Sequence, residues 1–240
     1  KLKDTQALPS PAGVALEILR LAGDQRATLR AMSKVVESDP ALAGRMLKLV
    51  NSPLAGVARK IGSVSEAVTL LGLRTIRNLA LGLSLVSDNR RGSCQGFDYE
   101  AFWSESLARA VAARQITATL KTFPPDEAFA AGLLGKVGRL ALATVRPEEY
   151  TRVLLATAGG DAGALIRLEQ EAFGIDHNAL SAEMMADWFL EAILCEAVGA
   201  QDSPDWADLE PGALGGQLTR LLQLAGAAAA ILVQGEASLD

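Results

Sequence analysis

Residues 39–53 read DPALAGRMLKLVNSP, and this stretch decides the class of fold. Asp39 can accept bonds from the free N–H groups of a helix's first turn, and Pro40 at the first helical position loses no bond there. Leu42, Met46, Leu49 and Val50 then fall at spacings of four, seven and eight, one face of an α-helix. Asn51 is placed to end that helix, because its side chain bonds nearby backbone and tolerates the left-handed region. Ser52-Pro53 closes the stretch.

The same punctuation recurs on both sides. Upstream, a helix is predicted over Ala12–Ala22 with Gly23 as its stop, and Thr28 caps a second that runs to Glu37. Downstream, Ser63-Val64-Ser65-Glu66 has the form of a capping box, and Val64, Ala67, Val68 and Leu71 supply its apolar face. Gly72 is positioned to end that helix in a left-handed conformation, with Ile76, Leu79, Ala80 and Leu83 on the next. Residues 87–97, SDNRRGSCQGF, break the pattern as a loop. A helix is then predicted over Tyr99–Leu120, with Trp103, Leu107, Ala110 and Val111 inward, and the next segment, Asp126–Val145, holds Phe129, Leu133, Leu134, Val137 and Leu140. Pro147 starts a helix that Gly159-Gly160 ends, and Asp161 caps another that Gly174 closes. Leu180, Met184, Met185 and Trp188 form a further stripe. After a loop at 200–212, an Ala- and Leu-rich helix begins near Leu214.

Half of the 240 residues are hydrophobic but only 5% are aromatic, and Ala and Leu make up the surplus. Both are strong helix formers, and no alternating Val/Ile runs suggest a sheet. The expectation is an all-α, multi-helical protein. An N-terminal helical bundle over 1–97 would pack on a helical core over 98–240, the two together making one domain. The net charge of -5 argues against non-specific nucleic-acid binding, which needs clustered Lys and Arg. Cys94 and Cys195 lack CxxC spacing and read as free thiols of a reducing compartment. The opening KLKDTQALPSP is polar, and the most apolar stretch, Leu221–Val233, is thirteen residues against the ~20 a bilayer span needs. A soluble, cytoplasmic protein with no membrane contact is therefore expected.

Taken in order, these pieces resemble the HDOD domain of bacterial signal transduction. Leu8-Pro9, Asp39-Pro40-Ala41-Leu42 and Asn51-Ser52-Pro53 resemble its N-terminal signature, continued by Ile61, Val64, Ala67 and Leu71-Gly72. Phe102-Trp103 with Ser106 and Ala108 resembles the next block, and Ala131-Gly132-Leu133-Leu134 with Val137-Gly138 the central motif. Glu171, Phe173-Gly174, His177 and Trp188 resemble the later one. The resemblance implies a helical core like that of the metal-dependent HD phosphohydrolases. It also implies a non-enzymatic regulatory role toward a protein partner or fused signalling domain, such as a cyclic-di-nucleotide enzyme or a receiver domain. A homo-oligomer is compatible with that role.

This sequence departs from the HD pattern where chemistry would sit. A catalytic metal needs several imidazoles or carboxylates converging on it. Residues 132–140 read GLLGKVGRL, with Gly135 and Lys136 where relatives keep His and Asp. Gly has no ligand atom, and an ammonium repels a cation. Glu105 stands where relatives often have His, and Gln201-Asp202 where many have a His pair. His177 is the one histidine of the chain. These positions read as a vestigial site with no catalytic residue, metal or cofactor, and Glu105 is expected to pair with Lys136. His177 taken alone reads as a helix-start residue bonded locally, and Trp103 and Trp188 as core anchors. Two other functions stay open: an atypical phosphohydrolase using Glu105, His177 and Asp202, and a nucleotide receptor in which Lys136 or Arg139 meets a phosphate.

Overall fold

Side chains can satisfy the first-turn N–H groups of a helix, and the caps predicted at Thr28, Asp39 and Ser63 are made. Asp39 Oδ1 accepts from the N–H groups of Ala41 and Leu42 at 2.9 and 3.0 Å, and Thr28 Oγ1 from Ala31 at 3.1 Å. Ser63 Oγ accepts from Glu66 N, while the Glu66 carboxylate reaches back to Gly62 N, one residue beyond the usual reciprocal bond. The computed structural model describes residues 13–24, 26–51, 59–89, 91–157, 162–203 and 214–237. Among these it shows twelve α-helices and no strand. Leu8-Pro9, Ser52-Pro53, Gly159-Gly160, Asp161 and most of the 200–212 loop lie outside the described residues, as does the Leu49 side chain.

The chain divides into two compact units at Asp88/Asn89. The sequence placed the boundary at 97, but Phe97 belongs to the second unit. Its ring lies 4.8 Å from that of Tyr99, 5.3 Å from Phe102 and 6.2 Å from Tyr150. Trp103 Nε1 also donates to Asn89 O at 3.0 Å.

The first unit holds α1 (Val14–Gly23), α2 (Leu29–Glu37), α3 (Pro40–Val50) and α4 (Val64–Asp88). Ile18, Met32, Val36, Leu42, Met46, Val50, Val68 and Ile76 form its core, and α4 packs against the other three. Each such side chain contributes roughly 1.5–3 kcal/mol by leaving water. Gly72 has φ 78° and ψ 168°, which is not the left-handed helical end predicted. The positive φ is there, but ψ is extended, so the chain bends and helix resumes at once. Only glycine adopts this combination readily.

The second unit comprises α5 (Tyr99–Leu120), α6 (Pro125–Leu134), α7 (Val137–Val145), α8 (Pro147–Ala156), α9 (Ala162–Phe173), α10 (His177–Asp187), α11 (Ala192–Gly199) and α12 (Leu214–Ala237). Its centre is α5, which packs on α6 and α12. A Cβ on Gly132 would stand 2.7 Å from Ala110 Cα, so α5 and α6 touch backbone to backbone. Trp103 and Trp188 are buried, as anchors should be. Leu107, expected inward, is instead 46% exposed, because the buried face of α5 runs through Phe102, Ser106, Arg109, Ala113 and Thr117.

Three helical stretches, Val64–Leu85, Pro125–Val145 and Leu214–Val233, are long and apolar enough to cross a membrane by length and mean hydropathy. The sequence expectation counted only an unbroken apolar run and so missed them. In Pro125–Val145, 78% of the apolar window is buried inside the fold, which accounts for its hydropathy as core.

Asn51 does more than close α3. Its Nδ2 donates to Leu47 O and to Ile61 O, both at 2.9 Å, and its Oδ1 accepts from Ile61 N at 2.7 Å. One amide therefore ties the end of α3 to the lead-in of α4. Asn51→Ala should lower stability by about 1–3 kcal/mol, since it strands both backbone groups of Ile61. Urea unfolding of the two proteins measures this, and an unchanged midpoint would exclude the role.

Candidate functional site

The segment Asp126–Val145 holds two helices that meet at Gly135-Lys136. Gly135 ends α6, and Lys136, at φ -112° and ψ 14°, precedes α7. An apolar repeat does not reveal this break, because the residues on both sides keep helical spacing. A second contact sets the start of α7. A Cβ on Gly138 would lie 2.1 Å from His177 O, so α7 and α10 meet where only glycine fits. Gly138 N also donates to Ser181 Oγ at 2.8 Å. On the other side of this contact, Asp176 Oδ1 accepts from Asn178 N and Ala179 N, both at 2.9 Å, which fixes His177 and Asn178 as the first residues of α10. Burial works against the charge on Asp176, but the bonds from Ala179, Gln170 and Asn178 prevail and hold its pKa below the usual value.

The break aims Lys136 Nζ at the start of α10. The ammonium lies 3.1 Å from His177 Nε2 and 3.0 Å from Asn178 Oδ1, and it forms an ion pair with Asp202 Oδ2. Asn178 Nδ2 donates to the same Asp202 oxygen at 2.9 Å. Behind His177, Glu169 is fully buried. Its Oε2 accepts from His177 N at 2.9 Å and stands 2.6 Å from Nδ1, while its Oε1 accepts from Tyr150 OH at 2.9 Å. An ammonium can only donate. The contact with Lys136 therefore asks His177 Nε2 to accept, whereas Asp202 Oδ2, 3.3 Å from the same nitrogen, asks it to donate. Gln201 completes the ring, donating to Gly135 O at 2.7 Å and Asn178 Oδ1 at 3.0 Å while accepting from Arg109.

Burial lowers the Lys136 pKa to about 8, with Asp202 opposing the shift and Arg109 and Arg139 adding to it. Asp202 moves strongly downward. Burial alone would raise it, but His177, the Lys136 charge and the Asn178 amide outweigh that. Burial pushes Tyr150 up, and its neighbour Arg139 is raised by Tyr150, Glu105 and Glu169 despite its own burial.

Glu105, Lys136, His177, Gln201 and Asp202 thus line one cleft of about 320 Å³, with Arg109 and Arg139 beside them. The predicted Glu105–Lys136 pair does not form. The ammonium is held by Asp202, whereas Glu105 acts on the charges of Arg109 and Arg139. His177 has its local backbone bond, but it also stands in the middle of the cluster. Glu171 is exposed, and the buried acid of that block is Glu169. Glu169, Arg109, Tyr150 and Asn178 escaped the sequence reading. A signal for Glu169 was present, since it continues the Leu165 face of α9 at four-residue spacing and precedes Phe173 by four. Arg109 follows Ser106 by three on the buried face of α5.

The HD-type core raises the question of a metal, and the residues present do not fit one. Two candidate donors, His177 Nε2 and Asp202 Oδ2, already face an ammonium. Among the described residues no three His, Cys, Asp or Glu side chains converge as ligands would.

The pattern of the HDOD domain matches residues 8–204. The chain belongs to the HDOD family. The HDOD chain is 41% identical to the MmoQ response regulator of Methylococcus capsulatus str. Bath over 95% of its own length and 87% of that chain, with a TM-score of 0.57. A protein of Shewanella amazonensis SB2B named as a phosphohydrolase is 26% identical over 94% of this chain and 78% of that one, with a TM-score of 0.73. A Treponema pallidum (strain Nichols) protein is 28% identical over 154 residues. The HDOD chain spans only 28% of that relative's length.

Two outcomes are expected of the cluster. Lys136 Nζ should titrate near pH 8, not near the ordinary ~10.4, as followed by carbon NMR of labelled lysine. Asp202→Asn should drop that value further, because it removes the charge that favours the ammonium. The folded state releases this proton before the unfolded chain does, so the Lys136 contribution to stability rises with pH between about 8 and ~10.4. In denaturant unfolding, a double-mutant cycle of Lys136→Met with Asp202→Asn should return a coupling of roughly 1–3 kcal/mol, while Lys136→Met with Glu105→Gln should return much less. Equal couplings would refute the assigned pairing.

Proposed function

We propose that this chain is a non-enzymatic signal-transduction module that couples a signal to a partner protein or a fused output domain. One observation carries the reading: the Lys136 ammonium sits among His177, Asn178 and Asp202, where a hydrolytic metal would have to bind. The surrounding chemistry supports it. A buried carboxylate orienting an imidazole is the outer arrangement common at metal sites, and here Glu169–His177 presents Nε2 to the Lys136–Asp202 ion pair. A fixed ammonium neutralises Asp202 but has no open position for a water nucleophile. The MmoQ protein, a response regulator by name, fits a signalling setting, and a receiver or cyclic-di-nucleotide enzyme is the class of partner proposed. The reading also places the protein in the cytoplasm.

Hydrolytic activity is the competing reading, favoured by the name of the Shewanella relative. Incubation with manganese and phosphodiester or phosphomonoester substrates should give no turnover above that of a His177→Ala, Asp202→Asn double variant. Metal analysis of the purified protein should find no stoichiometric ion. Lys136→Asp, by contrast, should gain divalent-metal binding measurable by calorimetry. Wild-type turnover that the double variant abolishes would overturn the proposal.

A further inference from the structure

We infer that the cleft beside the Lys136 cluster binds a phosphate-bearing small molecule, with the Arg109 and Arg139 guanidiniums as its anion subsite. The inference rests on the non-hydrolytic reading above, because the ligand would be held as a signal and not cleaved. Arg109 is 3% exposed. Among the described residues its Nε, like that of Arg139, is buried without a hydrogen-bond partner. The rest of each head is engaged. Arg109 Nη2 donates to Gln201, and Arg139 lies 5.9 Å from the Phe97 ring centre and interacts with Tyr150. Both arginines line the cleft, and each carries one buried, charged N–H donor in want of an acceptor.

The charges around the cleft favour an anion there. Three cations, Arg109, Lys136 and Arg139, face two carboxylates, Glu105 and Asp202. Asp202 is taken by Lys136 and Asn178. Glu105 lies close enough to act on both arginines, yet it bonds to neither Nε. Glu169, behind His177, has its oxygens taken by Tyr150 and His177. Guanidiniums match phosphoryl oxygens in both charge and geometry. Leu165, Leu222 and Ala227 add apolar surface to the lining, and at about 320 Å³ the cleft falls in the range of small-molecule sites. A phosphate with an attached organic group fits this lining better than a bare ion. Gly226 of α12 lines the cleft, and a Cβ there would stand 3.9 Å from Arg109 Nε, so a larger side chain at this position would extend beside that guanidinium.

Calorimetric titration at constant ionic strength with inorganic phosphate, adenosine 5′-monophosphate, guanosine 5′-monophosphate and unphosphorylated adenosine tests this. At least one phosphate probe should bind saturably with a dissociation constant below about 1 mM, and adenosine should not. Tighter binding of a nucleotide than of phosphate identifies an organic phosphate as the ligand class, and equal binding identifies the free anion. Gly226→Leu, which fills the cleft without touching the Lys136 cluster, and Arg109→Gln should each weaken binding about tenfold or more in proteins that remain helical by circular dichroism. Absence of saturable wild-type binding at about 10 mM of every phosphate probe overturns the site, as does binding that both folded variants retain. Phosphorus NMR of the same mixtures separates the two proposals. Turnover of a bound ester would refute the non-enzymatic reading and leave the anion site standing.

Discussion

A buried cation needs a partner, and the second unit is arranged around that need. The Lys136 stem is almost wholly inside the protein, with 15% of the side chain exposed. Leaving such an ammonium alone costs several kcal/mol, on the order of 3–5 when its partner is removed. Asp202, Asn178 and His177 surround it, and each is held in turn. Gln201 bonds Asn178 and the end of α6, and Glu169 holds the imidazole. The cluster joins α6, α7, α9, α10 and the turn after α11 through polar contacts. Removing any one member leaves another unsatisfied in a medium where that is expensive.

This arrangement differs in kind from a metal centre on the same helices. A divalent ion can dissociate, exchange and activate water, whereas an ammonium fixed on the chain does none of these. The cluster holds its geometry without regard to metal supply.

Much of the fold was legible because its signals are local. Asp39, Thr28 and Ser63 cap as their spacing predicts, and the Leu42–Met46–Val50 face is buried. The break at Gly135-Lys136 was not legible, since GLLGKVGRL keeps helical spacing across it and Gly135 has ordinary helical angles. Glu105, Lys136, His177, Gln201 and Asp202 could be named from the family resemblance, but their pairing could not. Glu105 and Asp202 are equally acidic, and only the path of the chain sets Asp202 against Lys136. Glu169 and Arg109 were overlooked because a charged residue on an apolar stripe reads as an interruption, although here it marks the inside of the site.

The Asn51 clasp has a consequence for how the protein can vary. Because one side chain holds both Leu47 and Ile61, the exit of α3 and the entry to α4 keep their spacing whatever chain lies between. The entropy of closing a loop grows only with the logarithm of its length. A longer or shorter connection between these two anchors would therefore cost the first unit little.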